Sequence, residues 1–232
     1  IPGSLVGSEM CIRDRSKWVD LSSEDISENW HTYLSNSVEG WESKDKVYVL
    51  DPSDKKNNGL VSNKHYHSFI LSLEWKVDKG GNSGIFWALN EDPKYSVPYL
   101  TAPEVQVIDD EYYYGGDKEN RKHMNGSVYD MVAPSMLAAN PTGEWNKYVI
   151  EINYKKNIGN VNLNGKDVST FPLRGKKWNE MIENSKFKTW DGFAKTEKGP
   201  IALQDHDTRV YYRNIKIKAV SYTHLTLPTK CS

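Results

Sequence analysis

The chain has 232 residues, 38% hydrophobic and 12% aromatic, with 8 Trp and 14 Tyr, a composition that suits one compact domain with a real core. Lys and Arg number 30 against 31 Asp and Glu, so the net charge of -1 provides no basic field for holding a phosphate backbone and argues against nucleic acid as a partner. No apolar run approaches the roughly 20 residues that cross a bilayer, so no membrane contact is expected from the visible chain.

In chain order, the first segment reads as foreign. "LVGSEMCIRDR" at residues 5–15 and "VSYTHLTLPT" at 220–229 resemble the two ends of a sequencing adapter translated in frame, the mark of a metagenomic, bacterial fragment. Such scars are set aside before fold reasoning. Residues 1–15 and 220–232 are therefore expected to be non-native, leaving 16–219 as one domain. Cys11 and Cys231 go with them, and with them any disulfide or Cys-based metal site.

Strand patterns follow. "KVYVLD" (46–51) is the first, and "SFILSLEWKVD" (68–78) is the clearest, with Phe69, Leu71, Leu73, Trp75 and Val77 on one face, the period of a half-buried strand. "SGIFWAL" (83–89), "PEVQVID" (103–109) and "SVYDMVA" (127–133) read the same way, each bounded by turn residues. A meander of "NKYVIEINYK", "NVNLN" and "KDVSTF" comes next, its last two strands separated by Asn164-Gly165, a two-residue hairpin signal because both positions tolerate positive φ. One short helix is expected at 177–185, where Trp178, Met181 and Ile182 share a face. Many short strands with little helix predict an all-β fold of two antiparallel sheets packed face to face, a sandwich or jelly roll.

Polar residues break this pattern in two places. In 103–109 Val105 and Val107 face one way and Glu104 and Gln106 the other, so the latter pair is expected on the floor of a groove. In "KGPIALQDHDTRVYYRNIKIKA" (198–219) Ile201 and Leu203 point inward and Ala202, Gln204 and His206 outward, which gives a second strand an imidazole beside an amide. Asp109 is weighed evenly between a turn and a ligand, and Arg213 is expected to pair with Glu104 or Asp205. Asn82-Ser83 reads as a turn. Trp87, Tyr95, Tyr99 and Tyr112–Tyr114 stand in or beside loops, where rings suit stacking on sugar faces.

The segments "GNSGIFW", "PEVQVIDD", "SVYDMVAP", "GEWNKYVIEI", "VNLNGKDV", "SKFK" and "KGPIALQDHDTRVYYRNIKIK", in this order and covering nearly all of 17–218, resemble the 3-keto-disaccharide hydrolase domain family. The resemblance implies a concanavalin-like jelly roll similar to that of laminarinase-type glucanases. It also implies a carbohydrate-active enzyme acting on 3-keto disaccharides or glycosides, and export to a periplasm or cell surface. Two departures bear on substrate fit: Trp87-Ala88 stands where many relatives have Arg, and Asp207 where they commonly have Gly. The glucanases' Glu-x-Asp-x-x-Glu is absent, since Glu104, Asp109 and Glu111 have other spacings, so double-carboxylate hydrolysis is not expected.

In a 3-keto sugar the carbonyl acidifies the hydrogen on C2, so that a base can remove it and the enolate can expel the C1 substituent before water adds back. The residues expected to carry this are His206 as base or acid and Glu104 as its partner at the leaving group or as its orienter. Arg213 and Gln204 are candidates for the oxyanion. Gln106, Asp109, Asp205, Trp87 and Tyr112 are expected to bind substrate. No cofactor is expected; a divalent cation on Glu104, Asp109 and His206 is the minority alternative. The competing class is a lectin-like binding module on the same fold, and a third is a structural β-domain within a larger protein.

Overall fold

The computed structural model describes residues 17–52, 59–115 and 119–220. Residues 1–15, all but the first of 220–232, and both Cys lie outside the described residues.

Thirteen strands form among the described residues. They are β1 (Val19–Asp20), β2 (Trp30–Thr32), β3 (Trp41–Lys44), β4 (Val47–Leu50), β5 (Leu60–Ser62), β6 (Phe69–Val77), β7 (Asn82–Phe86) and β8 (Glu104–Ile108), followed by β9 (Asn146–Asn153), β10 (Ile158–Leu163), β11 (Lys166–Phe171), β12 (Ala202–Leu203) and β13 (Val210–Ala219). The larger sheet runs β11-β10-β9-β6-β13-β4-β3, with β1 also on β13, and the smaller runs β2-β5-β12-β7-β8. Every pairing is antiparallel. The architecture is thus the two-sheet jelly roll that the strand pattern predicts.

The register follows the alternation. Along β6 buried and half-buried residues alternate without a break, and Phe69, Leu71, Leu73, Trp75 and Val77 join Val105 and Val107 of β8 in one apolar core. The Asn164-Gly165 hairpin has φ of 52° and 83°, the left-handed pair that such a turn requires. Helix α2 (Lys176–Glu183) lies close to its expected place and buries Trp178.

Three expectations change. Asn82-Ser83, read as a turn, opens β7 and pairs with β8. Residues 127–133 form no strand; Val128 bridges both Val105 and Val132, and Asp130 between them takes a left-handed φ of 59°. The segment therefore turns back on itself, with Val128 and Met131 buried in the core. A short helix α1 (Asp110–Tyr114) follows β8, begun by Asp109, whose side chain accepts the Tyr112 N–H.

Two core tyrosines carry hydrogen bonds from the larger sheet to the backbone of the smaller one. Tyr148 on β9 donates to the Gln106 carbonyl at 2.7 Å and accepts the Gly126 N–H at 2.7 Å. Tyr212 on β13 lies 2.8 Å from Ser83 Oγ, which in turn donates to the Gln204 carbonyl at 2.6 Å. Buried hydroxyls are satisfied by these links, and the links fix the backbone beneath Gln106 and Gln204.

Candidate active site

On the outer face of the smaller sheet lies a cavity of about 340 Å³ lined by Glu104, Gln106, Asn82, Gln204, His206 and Lys186, with Tyr99, Tyr129, Phe187 and Trp190 around them. Its size is that of a small-ligand site. A larger hollow of about 530 Å³, walled by such residues as Val77, Ile108, Leu137, Ala139 and Pro141, takes in none of these side chains.

The floor is built by β7 and β8. Alternation puts Glu104 and Gln106 opposite the core valines, and Gly84, paired with Gln106, leaves space above its own Cα. A Cβ there would stand 1.8 Å from Glu104 Oε1, so the carboxyl lies where only glycine permits it. With its amide oriented to satisfy its neighbours, Gln106 Nε2 donates to the Ser83 carbonyl at 3.0 Å and approaches Glu104 Oε1 at 3.3 Å. Glu104 is 8% exposed, and burial pushes its pKa up to about 8, with the Lys186 charge pulling the other way. Burial therefore holds the group mainly in its neutral, proton-carrying form at neutral pH.

Gln204 and His206 close one side. The Gln204 N–H donates to the Gly84 carbonyl at 2.8 Å, which continues β12 towards the cavity, and His206 is exposed at its mouth. The turn after it is held by Asp205, whose Oδ1 accepts the Asp207 N–H at 2.9 Å. Asp207 takes φ of 55°, a conformation for which glycine is the default and which Asp tolerates.

The opposite wall comes from turns. Tyr99 sits on a 3₁₀ turn opened by Pro98. Lys186 and Phe187 belong to a second, Lys186–Thr189, capped by Ser185 and ended by Trp190. Tyr99 and Trp190 lie 6.1 Å apart, and Phe187 stacks on Phe193 beneath them at 3.9 Å. Asn82, at the start of β7, is bonded through its backbone to Thr208 at both N–H and carbonyl, each at 2.8 Å. Its buried Oδ1 has no partner, an acceptor suited to a hydroxyl donor.

Thus Glu104, Gln106, Gln204 and His206 are brought together as expected, and Tyr99 joins them. Five other assignments are corrected. Arg213 donates from Nε to Glu74 Oε2 at 2.7 Å and lies over the Trp145 ring, 3.9 Å from its centroid; its partner is its cross-strand neighbour, which outcompetes any carboxylate across the sandwich. Asp109 is spent on α1, accepting from Gly80 N–H (2.8 Å), Tyr112 N–H (3.1 Å) and Thr142 Oγ1 (2.6 Å). Burial raises its pKa, and these bonds more than offset that, leaving it lowered. Trp87 is 2% exposed and packs against Phe171 in the core. Asp205 faces a recess beside Gly59, Val97 and Pro98. Tyr112 is 58% exposed and covers Gly80, away from the cavity.

Because Asp109 is turned away, Glu104, Asp109 and His206 do not form a cation set, and among the described residues no group of three His, Cys, Asp or Glu is placed to hold a metal. Arg213→Ala is expected to cost roughly 1 kcal/mol, the worth of a partly exposed ion pair, read by denaturant unfolding, and to leave binding in the cavity unchanged.

Asn82, Tyr129, Lys186 and Trp190 were not expected in the site. "SKFK" and "SVYDMVAP" carried the resemblance without an assigned role, and that was the available signal.

A Bacteroides thetaiotaomicron protein named 3-keto-disaccharide hydrolase is 31% identical over 190 residues, 73% of this chain and 64% of that protein, so the chain spans less than two thirds of its length. The structure of a "putative glycosyl hydrolase" of Parabacteroides distasonis superimposes with a TM-score of 0.80 at 28% identity, covering 89% of this chain and 95% of that one. The carbohydrate-binding module CBM66 of Bacillus subtilis, at 10% identity and TM-score 0.52 over 82% of this chain and 96% of that one, shares the fold alone. Residues 17–218 match the profile of the 3-keto-alpha-glucoside-1,2-lyase-like domain, and the chain belongs to that family.

Proposed function

We propose that the domain cleaves the bond at C1 of 3-keto glycosides or disaccharides by removing the C2 proton, eliminating the C1 substituent and adding water. The observation that carries this reading is that the described cavity lining holds a single carboxylate, Glu104, together with one imidazole, His206. Two facing carboxylates, which ordinary glycoside hydrolysis uses, are not what this cavity offers. One acid and one base are what elimination from a ketone needs.

His206, at the mouth, is the base for C2–H, imidazole being the side chain suited to exchanging protons near neutrality. Glu104, neutral below about 8, gives its proton to the departing oxygen. The unpartnered Asn82 Oδ1 and the amides of Gln106 and Gln204 take sugar hydroxyls, and Tyr99 and Trp190 supply rings for an apolar sugar face or aglycone.

The test is NMR in deuterated water with methyl 3-keto-glucosides of both anomers. The expected result is methanol release with deuterium at C2, and a fall on the order of 10²-fold in His206→Ala. Ligand-induced shifts in a folded protein without release or exchange would instead make this a binding module.

A further inference from the structure

The described cavity lining contains one lysine, Lys186, whose ammonium makes no close ion pair. No salt bridge joins Lys186 to a carboxylate of the described residues; its Nζ lies over the rings of Tyr129 (4.3 Å to the centroid), Phe187 (5.3 Å) and Trp190 (5.7 Å). Aromatic faces hold an ammonium in place while leaving its N–H donors free.

Its backbone is anchored as well. Asp130, in its left-handed turn, accepts the Lys186 N–H on Oδ2 at 2.7 Å and meets His123 Nε2 on Oδ1 at 2.8 Å. His123 stacks on Tyr129, 4.8 Å between centroids, and the Tyr129 N–H donates to the Glu104 carbonyl at 2.9 Å. One carboxylate thus ties the turn carrying Lys186 to the loop carrying its aromatic seat, and that loop to the backbone of Glu104.

Resting on the cleavage reading above, we propose that Lys186 is the catalytic cation that takes the C3 oxygen of the substrate, and that Asp130 and His123 are its positioning residues. As His206 removes the C2 proton, the C–H electron pair becomes the C2=C3 double bond and the carbonyl pair moves onto oxygen beside the ammonium. When the carbonyl re-forms, the pair moves into C1=C2, the C1–O bond breaks, and the leaving oxygen takes the proton of Glu104. The products are an enone and an alcohol, and later addition of water to the enone needs no other reactant. This is the role that the sequence suggested for Arg213.

The experiment compares wild type with Lys186→Met, which keeps the stem that packs on Tyr129. Removing one preorganised oxyanion donor costs on the order of 10²- to 10³-fold in kcat. That loss is expected with KM changed only a few-fold, with equal loss of C2 deuterium exchange, and with unchanged binding of the unoxidised methyl glucoside. Methylammonium should restore part of the rate in Lys186→Ala. Asp130→Ala should lower kcat about tenfold, and Asp130→Asn, which keeps an acceptor for the Lys186 N–H, should recover most of it. If Lys186→Met does not fold, Lys186→Gln is read in the same way. Exchange within threefold of wild type in the Lys186 variant would overturn this assignment alone. A wild-type protein that neither exchanges nor releases would overturn the cleavage reading and this assignment with it.

Discussion

Glu104→Gln is expected to abolish most turnover and, at alkaline pH, to make the protein more stable. The folded carboxyl has its pKa at about 8 against an ordinary 4.5, through burial. Below the unfolded value both states hold the proton and the group is silent. Between the two values the unfolded state ionises while the folded state does not, so stability falls as pH rises; above about 8 the penalty is complete, on the order of 5 kcal/mol. Glutamine never ionises and escapes it. At ~2–4 °C per kcal/mol for a domain of this size, Glu104→Gln should melt on the order of 10 °C above wild type at pH 9 and at the same temperature as wild type at pH 4. Its rate should fall on the order of 10³-fold with a methyl leaving group, and much less with 4-nitrophenyl, which departs without a proton. Calorimetry across pH and rates on the two glucosides check this. A variant that melts lower at pH 9, or loses equally on both substrates, would remove Glu104 from its role as buried acid.

Gly84→Ala should be nearly as damaging, for a purely steric reason. The added methyl would meet Glu104 Oε1 at 1.8 Å, Cδ at 2.5 Å and Cγ at 2.7 Å, closer than any real contact, while the glycine has no positive φ that alanine would strain. The carboxyl must leave its place beside Gln106. Overpacking of this kind costs about 1–3 kcal/mol, so the domain should still fold, but the rate should drop at least on the order of 10²-fold. If the two changes strike one group, Gly84→Ala/Glu104→Gln will be no slower than the slower single variant. Additive losses would show that Gly84 acts through something other than Glu104.

The site's floor was legible in the sequence because it stands on strands. A period of two assigns each side chain to a face, so Glu104 and Gln106 of β8 were placed on one face without knowing which strands adjoin; Gln204 and His206 lie past the end of β12 at Leu203, where alternation alone does not fix a side chain. Most of the wall was not legible: Tyr99 was singled out only as a ring beside a loop, and Lys186 and Trp190 sit in or beside a 3₁₀ turn, which has no period to read. Arg213 shows a different gap. Its strand was recognised, but its neighbour Glu74 depends on β6 pairing with β13, a long-range fact that alternation does not contain. Trp87 was misread for a similar reason: β7 ends at Phe86, yet the ring after it still points into the core.

The tyrosine links from the larger sheet have a consequence for how such a domain could be re-engineered. Tyr148 and Tyr212 brace the carbonyls of Gln106 and Gln204 from inside the core, whereas Tyr99 and the Trp190 turn belong to neither sheet. On the proposed roles the second turn belongs to the reaction, because the Trp190 ring lies under the Lys186 ammonium, whereas Tyr99 stands on a separate turn. A library varied at position 99 would then sample new leaving groups over an unaltered acid, base and cation, so the fold would offer a fixed centre with an exchangeable front.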